Sequence, residues 1–327
     1  MTVPDLYNRR FVLFSGKGGV GKTTLAASFA LSCARRGERT LLMELDAKNK
    51  ASSLFGVGEI DEEIREIDDN LYGVAVTPAE AMKEYALMVL KIKLIYRAVF
   101  ENRVVSSFLR VIPGLNELVM LGKAYYHTQE TDENGRQKWD KVIVDAPATG
   151  HGIFFLKIPS VITNLIGSGL MFEEANRILE LLRDPARTGI AIVTLAEDMP
   201  VNETLMLTEV LTDEMELPIA CVIANAIYRP LFSDDERDWI DDAQDFLCDE
   251  ESEDVLQEFR GFIEAAKFRN DRVAMQQHYL ELLRDNGDWP LMEIPYYFFD
   301  RMSFAIIDEI ANDLSESLGQ TKRQATG

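Results

Sequence analysis

Short apolar runs alternate along the chain with stretches whose apolar residues recur at helical spacing. Phe11-Val-Leu-Phe14 ends at Ser15-Gly16 and predicts a buried strand running into a loop. From Leu25 to Arg36, Leu25, Phe29, Ala30 and Cys33 share one helical face, and Gly37 supplies a stop signal. Thr40 to Leu45 is strand-like again, as are Leu71 to Val76, Lys141 to Val144 (ending at Asp145), Gly189 to Leu195 and Ala220 to Ala224. Strands that read as continuous apolar runs and alternate with helices predict an α/β fold. Its central sheet is mostly parallel and is flanked by helices on both faces.

The spacing is uneven. Residues 57–140 hold one strand and then helical material. Thr77-Pro78-Ala79-Glu80 has the pattern of a capping box with proline at the first helical position. The helix it opens runs towards Phe100 and is apolar on most sides, from Met82 to Ile95. A second helical stretch from Phe108 breaks near Pro113-Gly114 and resumes to about Tyr126, and Glu130 to Lys138 reads as a polar loop. Ile158 to Phe172 carries no charge. Asp234 to Asp254 carries twelve acidic residues against one arginine, Arg237. Within that run Trp239, Ile240, Ala243, Phe246 and Leu247 fall on one face, so an amphipathic helix followed by a solvated acidic loop is expected.

Composition narrows the partners. The 327 residues carry 34 Lys and Arg against 55 Asp and Glu, a net charge of −21, and 47% are hydrophobic. That surface opposes nonspecific binding of nucleic acid and of anionic membranes. It does not oppose a phosphate ligand, because a local cradle of backbone N–H groups overrides a global field. Cys33, Cys221 and Cys248 are far apart and form no C-x-x-C pair. A disulfide framework or a four-thiolate zinc site within one chain is thereby excluded. Met1 to Arg10 has no apolar signal core, and no uncharged stretch is long enough to span a bilayer, so a cytoplasmic location is the expectation.

The chemistry concentrates in Gly16-Lys17-Gly18-Gly19-Val20-Gly21-Lys22-Thr23-Thr24, which satisfies G-x-x-x-x-G-K-[ST] between a predicted strand and a predicted helix. Glycines let successive backbone N–H groups turn inward around phosphate oxygens, and the helix N-terminus adds positive potential. Lys22 would reach the β- and γ-phosphates of a nucleotide, and the Thr23 hydroxyl would ligate Mg²⁺. Asp46 follows a strand, where it could orient or deprotonate an attacking water or could simply cap the following turn. Asp145 ends another strand, where a carboxylate holds Mg²⁺, usually through water. The Thr149-Gly150-His151 turn after it is placed to sense a γ-phosphate, and His151 itself reads equally as a satisfied turn histidine.

With these residues in view, the sequence resembles the arsenite-pump and tail-anchored-protein-targeting ATPase family. The matching positions are Gly16 to Thr24, Asp46 with Leu54-Phe55-Gly56, and Asp145 to His151. Further along they are Val193 to Glu197 with Glu203-Thr204, Asn225, and Arg272-x-x-Met275-Gln276-x-x-Tyr279-Leu280. The resemblance implies a P-loop NTPase core with a helical subdomain built from insertions, and a dimer closing around ATP with Mg²⁺. Within it Lys17 would reach the partner's nucleotide, and Asp46 would be the hydrolytic aspartate. Asn225 and the backbone after Pro295 would flank adenine. The organisation expected is one unit over 1–327. Its nucleotide core would comprise about 9–56, 139–157, 186–230 and 288–320, with insertions at about 77–128, 158–185 and 231–286.

The sequence also departs from the family pattern. Where targeting ATPases carry a zinc-binding C-x-x-C, this chain has Ala266 and Arg269, so no zinc is expected. Asp46 is followed by Ala-Lys-Asn rather than Pro-Ala-His. The expected function is an ATP-hydrolysing dimeric switch, ADP relaxing what ATP closes, coupled to a protein or hydrophobic client. Alternatives are the ATPase subunit of an anion or metalloid efflux pump, for which no cysteine sits in a recognisable counterpart, and one half of a heterodimer with a paralogue. A membrane-protein partner is compatible with these readings, while nucleic acid and direct membrane insertion are not expected. Partition-type positioning proteins need a basic face, and Ile306 to Leu318 is acidic instead.

Overall fold

A computed structural model describes residues 6–45, 50–90, 114–147, 152–249 and 254–324. Its eight strands are β1 (Phe11–Gly16), β2 (Thr40–Leu45), β3 (Arg65–Asp68), β4 (Leu71–Val76), β5 (Lys141–Asp145), β6 (Thr188–Leu195), β7 (Ile219–Ile227) and β8 (Leu291–Pro295). They form one sheet in the order β3-β4-β2-β5-β1-β6-β7-β8. Every neighbouring pair is parallel except the β3–β4 hairpin at one edge.

The continuous apolar runs have a simple cause: both faces of the sheet are buried. In β1, Phe11 and Leu13 point into one core with Val142, Val144, Ile190 and Ile192. Val12 and Phe14 point into the other, with Ile143, Ala191 and Val193. The second core is covered by α1 (Lys22–Arg35), α2 (Lys50–Phe55) and, near the C-terminus, a helix at Phe304–Gln324. The first is covered by α4 (Leu115–Gln129), α5 (Gly152–Leu165), α6 (Leu170–Arg183) and α7 (Asp198–Glu209), with Ala81 of α3 (Pro78–Leu90) reaching in. An acidic helix α8 (Asp234–Asp249) and the long α9 (Asp254–Asn286) form a hairpin between β7 and β8, so the C-terminal helix is α10.

Several elements differ from the sequence expectation. Helix α1 is buried on every side: Ala26, Ser28, Leu31 and Ser32 are as covered as Leu25 and Phe29, because the helix is sandwiched between the sheet and α10. Strands β3 and β8 carry no strand signal, since Arg65-Glu-Ile-Asp68 is charged and largely exposed and β8 is interrupted by Glu293. In α8, Ile240 and Ala243 turn inward, but Trp239 turns out and is 57% exposed. The stretch 158–172 is two helices, with Ile158 and Ile162 buried and Leu165 left 78% exposed at the junction. The helix opened at Thr77 is described only to Leu90, so its expected course to Phe100 lies outside the described residues. The Thr77 cap forms, Thr77 Oγ1 accepting from the Glu80 N–H at 3.3 Å.

The loop read as polar, 130–138, is anchored by a buried network. Glu130 accepts hydrogen bonds from Lys138 Nζ at 2.6 Å and Trp139 Nε1 at 3.0 Å, and pairs with His127 Nδ1 at 2.9 Å. Burial alone would raise the Glu130 carboxyl, but these partners hold it down at about 2. Burial also pushes the His127 imidazolium below its ordinary range, so the ring is neutral and donates through Nδ1 to the carboxylate.

Candidate functional site

The C-terminal ends of β1, β5, β6 and β7 converge on the turn between β1 and α1. Gly16 enters that turn with φ +139°, and a Cβ there would lie 2.2 Å from the Val193 carbonyl oxygen of β6. Only glycine lets β1 close against β6 at this point. Gly21 leaves the turn with φ +98°, where a Cβ would stand 2.3 Å from Asn225 Nδ2. Helix α1 starts at Lys22 with no side chain capping it, which leaves the N–H groups of its first turn for an anion. Gly18 and Gly19 lie at the open side of the turn. Gly19 has φ +86° with nothing within 4 Å of where a Cβ would stand, and Val20 is tucked into the core beneath.

Each predicted side chain of the cradle has a definite place. Lys22 folds back, its ammonium donating to the Lys17 carbonyl at 2.7 Å across the mouth of the turn. Thr23 donates its hydroxyl to Asp145 Oδ2 at 2.6 Å, joining the start of α1 to the end of β5. Thr24 continues the first turn of α1. Asn225, at the end of β7, donates to the Val20 carbonyl at 2.9 Å, so its amide braces the loop. Pro295 ends β8, where Ile227 of β7 pairs with it, and the next residue, Tyr296, stacks on Tyr228 with ring centroids 4.7 Å apart. Asp46, with Ala47 to Asn49, and the segment Ala148 to His151 lie outside the described residues.

Glu203, Glu197, Arg272 and Gln276, matched in sequence without an assigned contact, line the site together with Glu44, which was not anticipated. Lys17 is held at 2.7 Å by Glu203 of α7 in its own chain. Glu44, fully buried in β2 opposite Asp145, accepts the Ala51 N–H of α2 at 2.7 Å. It thereby ties the far end of the segment containing Asp46 back to the sheet. From α9, Gln276 bridges Ala226 O and Tyr228 N at 3.0 and 2.7 Å, and Arg272 pairs with Glu197 after β6 at 3.1 Å. A buried glutamate inside an apolar strand was the one sequence signal available for Glu44; the Lys17–Glu203 pair spans 186 residues and left none.

The cradle offers a bound cation a hydroxyl and a carboxylate, both hard oxygens, already within 2.6 Å of each other. That donor set suits Mg²⁺, which takes one or two protein oxygens and completes its shell with water and phosphate. No group of three or more His, Cys, Asp or Glu gathers among the described residues to hold a metal without such help. Cys33 and Cys221 are buried, and burial pushes both thiols up, Cys221 to about 12, so neither offers a thiolate. No described helix is long and apolar enough to cross a membrane.

A family model described as anion-transporting ATPase matches residues 9–171, which contain the cradle, Glu44, Asp46 and Asp145. Over those residues the chain is similar to the ArsA-type ATPases. Among similar proteins, the ATPase BagA of Mycobacterium tuberculosis is 33% identical over 221 residues, 66% of this chain and 64% of that protein. A putative arsenical pump-driving ATPase of Halobacterium salinarum is 23% identical, the match covering 96% of this chain and 46% of the relative. An ATPase ASNA1 homolog of Babesia bovis is 24% identical over 86% of this chain and 84% of its own length. The chain thus spans less than two thirds of the mycobacterial relative and about half of the halobacterial one. Ala266 packs into the α8–α9 hairpin. Arg269 donates to the Arg229 carbonyl at 2.8 Å and lies over Tyr228.

Proposed function

We propose that this chain is a Mg-ATP-hydrolysing switch of the ArsA type that closes as a homodimer, or with a paralogue, and couples closure to a protein or hydrophobic client. One observation carries the reading. Thr23, Lys22 and Asp145 converge at an uncapped helix N-terminus, within a turn whose Gly16 tolerates no other residue. Phosphoryl transfer asks little covalent chemistry of a protein; positioning and electrostatics account for it. The N–H groups of the Gly18–Thr23 turn would hold the β-phosphate. Lys22 would exchange the Lys17 carbonyl for phosphate oxygens, and Thr23 and Asp145 would hold Mg²⁺, which neutralises developing charge. Asp46 would orient the attacking water. Asn225 and the backbone beside Pro295 are the proposed adenine contacts, and Asn225 must turn from Val20 to serve.

Lys17 is the proposed trans contact to the partner's nucleotide, and closure then requires it to leave Glu203. Exposed Leu165 and Leu170 at the α5–α6 junction, and exposed Phe154 in the first turn of α5, support a client-facing apolar surface. The test is ATP turnover together with light scattering of the purified chain in ATP and ADP. Lys22→Ala is expected to lower turnover by about 100-fold or more. Asp46→Asn should bind ATP, self-associate and turn over no better. Wild-type turnover in both variants would overturn the proposal.

The printed names of several relatives favour a second reading, the motor of an arsenical pump. Turnover stimulated by arsenite would support it, whereas the buried, protonated thiols of Cys33 and Cys221 weigh against it.

A further inference from the structure

A cavity of about 540 Å³ opens between β4, the start of α3 and the turn before β3, with α4 as its far wall. Two strands, β2 and β5, separate β4 from β1 and the cradle. The volume is that of a small-molecule site. Val74 of β4, Ala81 of α3 and Val119 of α4 are buried and make the floor apolar. Glu62, Glu63, Glu84 and Tyr126 are exposed and stand at the mouth. Val119, Lys123 and His127 follow at intervals of four residues, so one face of α4 presents all three to the cavity.

The polar groups of this wall are not evenly satisfied. His127 is 6% exposed. Its Nδ1 pairs with Glu130, which lies outside the cavity wall, so Nε2 takes the cavity side of the ring. That nitrogen is buried and has no hydrogen-bond partner. With Nδ1–H given to Glu130, Nε2 is an acceptor. A buried acceptor without a donor leaves a desolvation cost that an occupant's N–H or O–H would recover. Lys123, the basic residue among the described lining, is spent on Glu84 at 2.9 Å. Beside the mouth, Arg65 pairs with Asp61 at 3.0 Å and Lys83 with Glu80 at 2.9 Å. Glu62 accepts the Thr77 hydroxyl at 3.0 Å. Among the described residues, neither Glu62 nor Glu63 meets a cation.

We propose that this cavity binds a small aromatic amine carrying a hydrogen-bond donor on its ring. The ring would lie on Val74, Ala81 and Val119 with its N–H or O–H donated to His127 Nε2, and the ammonium would pair with Glu62 and Glu63 at the mouth. A carboxylate in its place would have to evict Glu84 from Lys123 and face two further acids. A purely apolar molecule would leave Nε2 unpaired. A metal ion would lack a donor set, since no three metal-ligating side chains gather among the described residues. The cavity shares no residue with the cradle, so it stands or falls separately from the switch proposed above.

The test uses the full-length chain and three probes: tryptamine, its ring-N-methyl analogue and indolepropionate, titrated by calorimetry. Tryptamine is expected to bind about tenfold more tightly than either of the others, because one lacks the ring donor and the other the cation. The exposed pair Glu62→Gln and Glu63→Gln should weaken tryptamine about tenfold and leave indolepropionate no weaker. His127→Asn keeps an amide N–H for Glu130 and removes the acceptor at Nε2. It should bring tryptamine down to the level of the N-methyl analogue, so that the two bind alike. If that variant does not fold, the two tryptamines compared on the wild-type chain carry the same test. The pair Asp235→Asn and Asp238→Asn, an equal charge change on α8, should leave affinity within about twofold. Absence of tryptamine binding, equal binding of tryptamine and indolepropionate, no loss on ring methylation, or equal loss with the α8 pair would each overturn the proposal. The last would mean attraction to net charge alone.

Discussion

The turn between β1 and α1 and the hairpin of α8 and α9 divide the chain's resources in opposite ways. In the turn four polar side chains are engaged: Lys22 with a carbonyl, Thr23 with Asp145, Asn225 with Val20, Lys17 with Glu203. The strands beneath it are buried on both faces. Among the described side chains of the hairpin, Ile240 and Ile263 form a small core, and Trp239, Phe259 and Phe262 face water. A site that must hold an incoming anion in fixed geometry needs backbone that cannot yield. The turn is built of glycines and short polar side chains braced from below, whereas the hairpin leaves large aromatic residues on its surface.

Substitutions can break this contrast, and the largest effect is expected at Gly16. Alanine there must displace the Val193 carbonyl of the neighbouring strand and adopt φ +139°, which glycine alone tolerates. Gly16→Ala should cost at least ~3 kcal/mol in chemical denaturation, or leave no folded protein. Ile263→Ala removes one of the two fully buried side chains of the hairpin core among the described residues and should cost about 2 kcal/mol. Its signature is local: hydrogen exchange should quicken in α8 and α9 while amides of β1 and β5 keep their protection. Loss of protection in the sheet would show that the two regions are one cooperative unit.

Glu130 sharpens the comparison from the sheet side, because its network pins the chain entering β5. Its carboxyl is held at about 2 against an ordinary 4.5, so the stabilisation is complete above pH 4.5 and is lost as pH falls towards 2. Glu130→Gln should cost about 2 kcal/mol at neutral pH, and the gap to wild type should close across that acid window in denaturation measured against pH. The smallest effect is expected at Glu203→Gln. This exposed pair is worth less than about 1 kcal/mol, so freeing Lys17 should lower the ATP concentration for half-maximal self-association by about two- to fivefold. A higher midpoint would mean that Glu203 positions Lys17 for closure rather than withholding it.

The parallel sheet and the cradle were legible because their signals are local. An unbroken apolar run means a strand covered on both sides, and glycines at fixed offsets before Lys22 mean a turn that only such backbone can make. What was not legible depends on partners distant in the chain. Glu203 meets Lys17 across 186 residues, Trp139 and His127 converge on Glu130, and β8 is a strand only because β7 offers it an edge. Helical periodicity put Trp239 with Ile240 and Ala243, but a narrow two-helix contact buries a thinner stripe than a sheet does, and the indole falls outside it. Helix α1 errs in the other direction: sandwiched between two layers, it has no outer face to reveal.

The central position of β1 also bears on how this molecule comes into being. Phe11 sits beside Val142 on one side and Thr188 on the other, so the earliest strand to leave the ribosome has no neighbour in the sheet until much later ones follow. At ordinary rates of translation that interval is on the order of ten to twenty seconds. During it, Phe11 to Phe14 is a bare apolar segment with unsatisfied edges, the kind of sequence that invites chaperone capture or misassembly. The strand that ends by holding the cradle rigid is thus, for that interval, the part of the nascent chain most in need of protection.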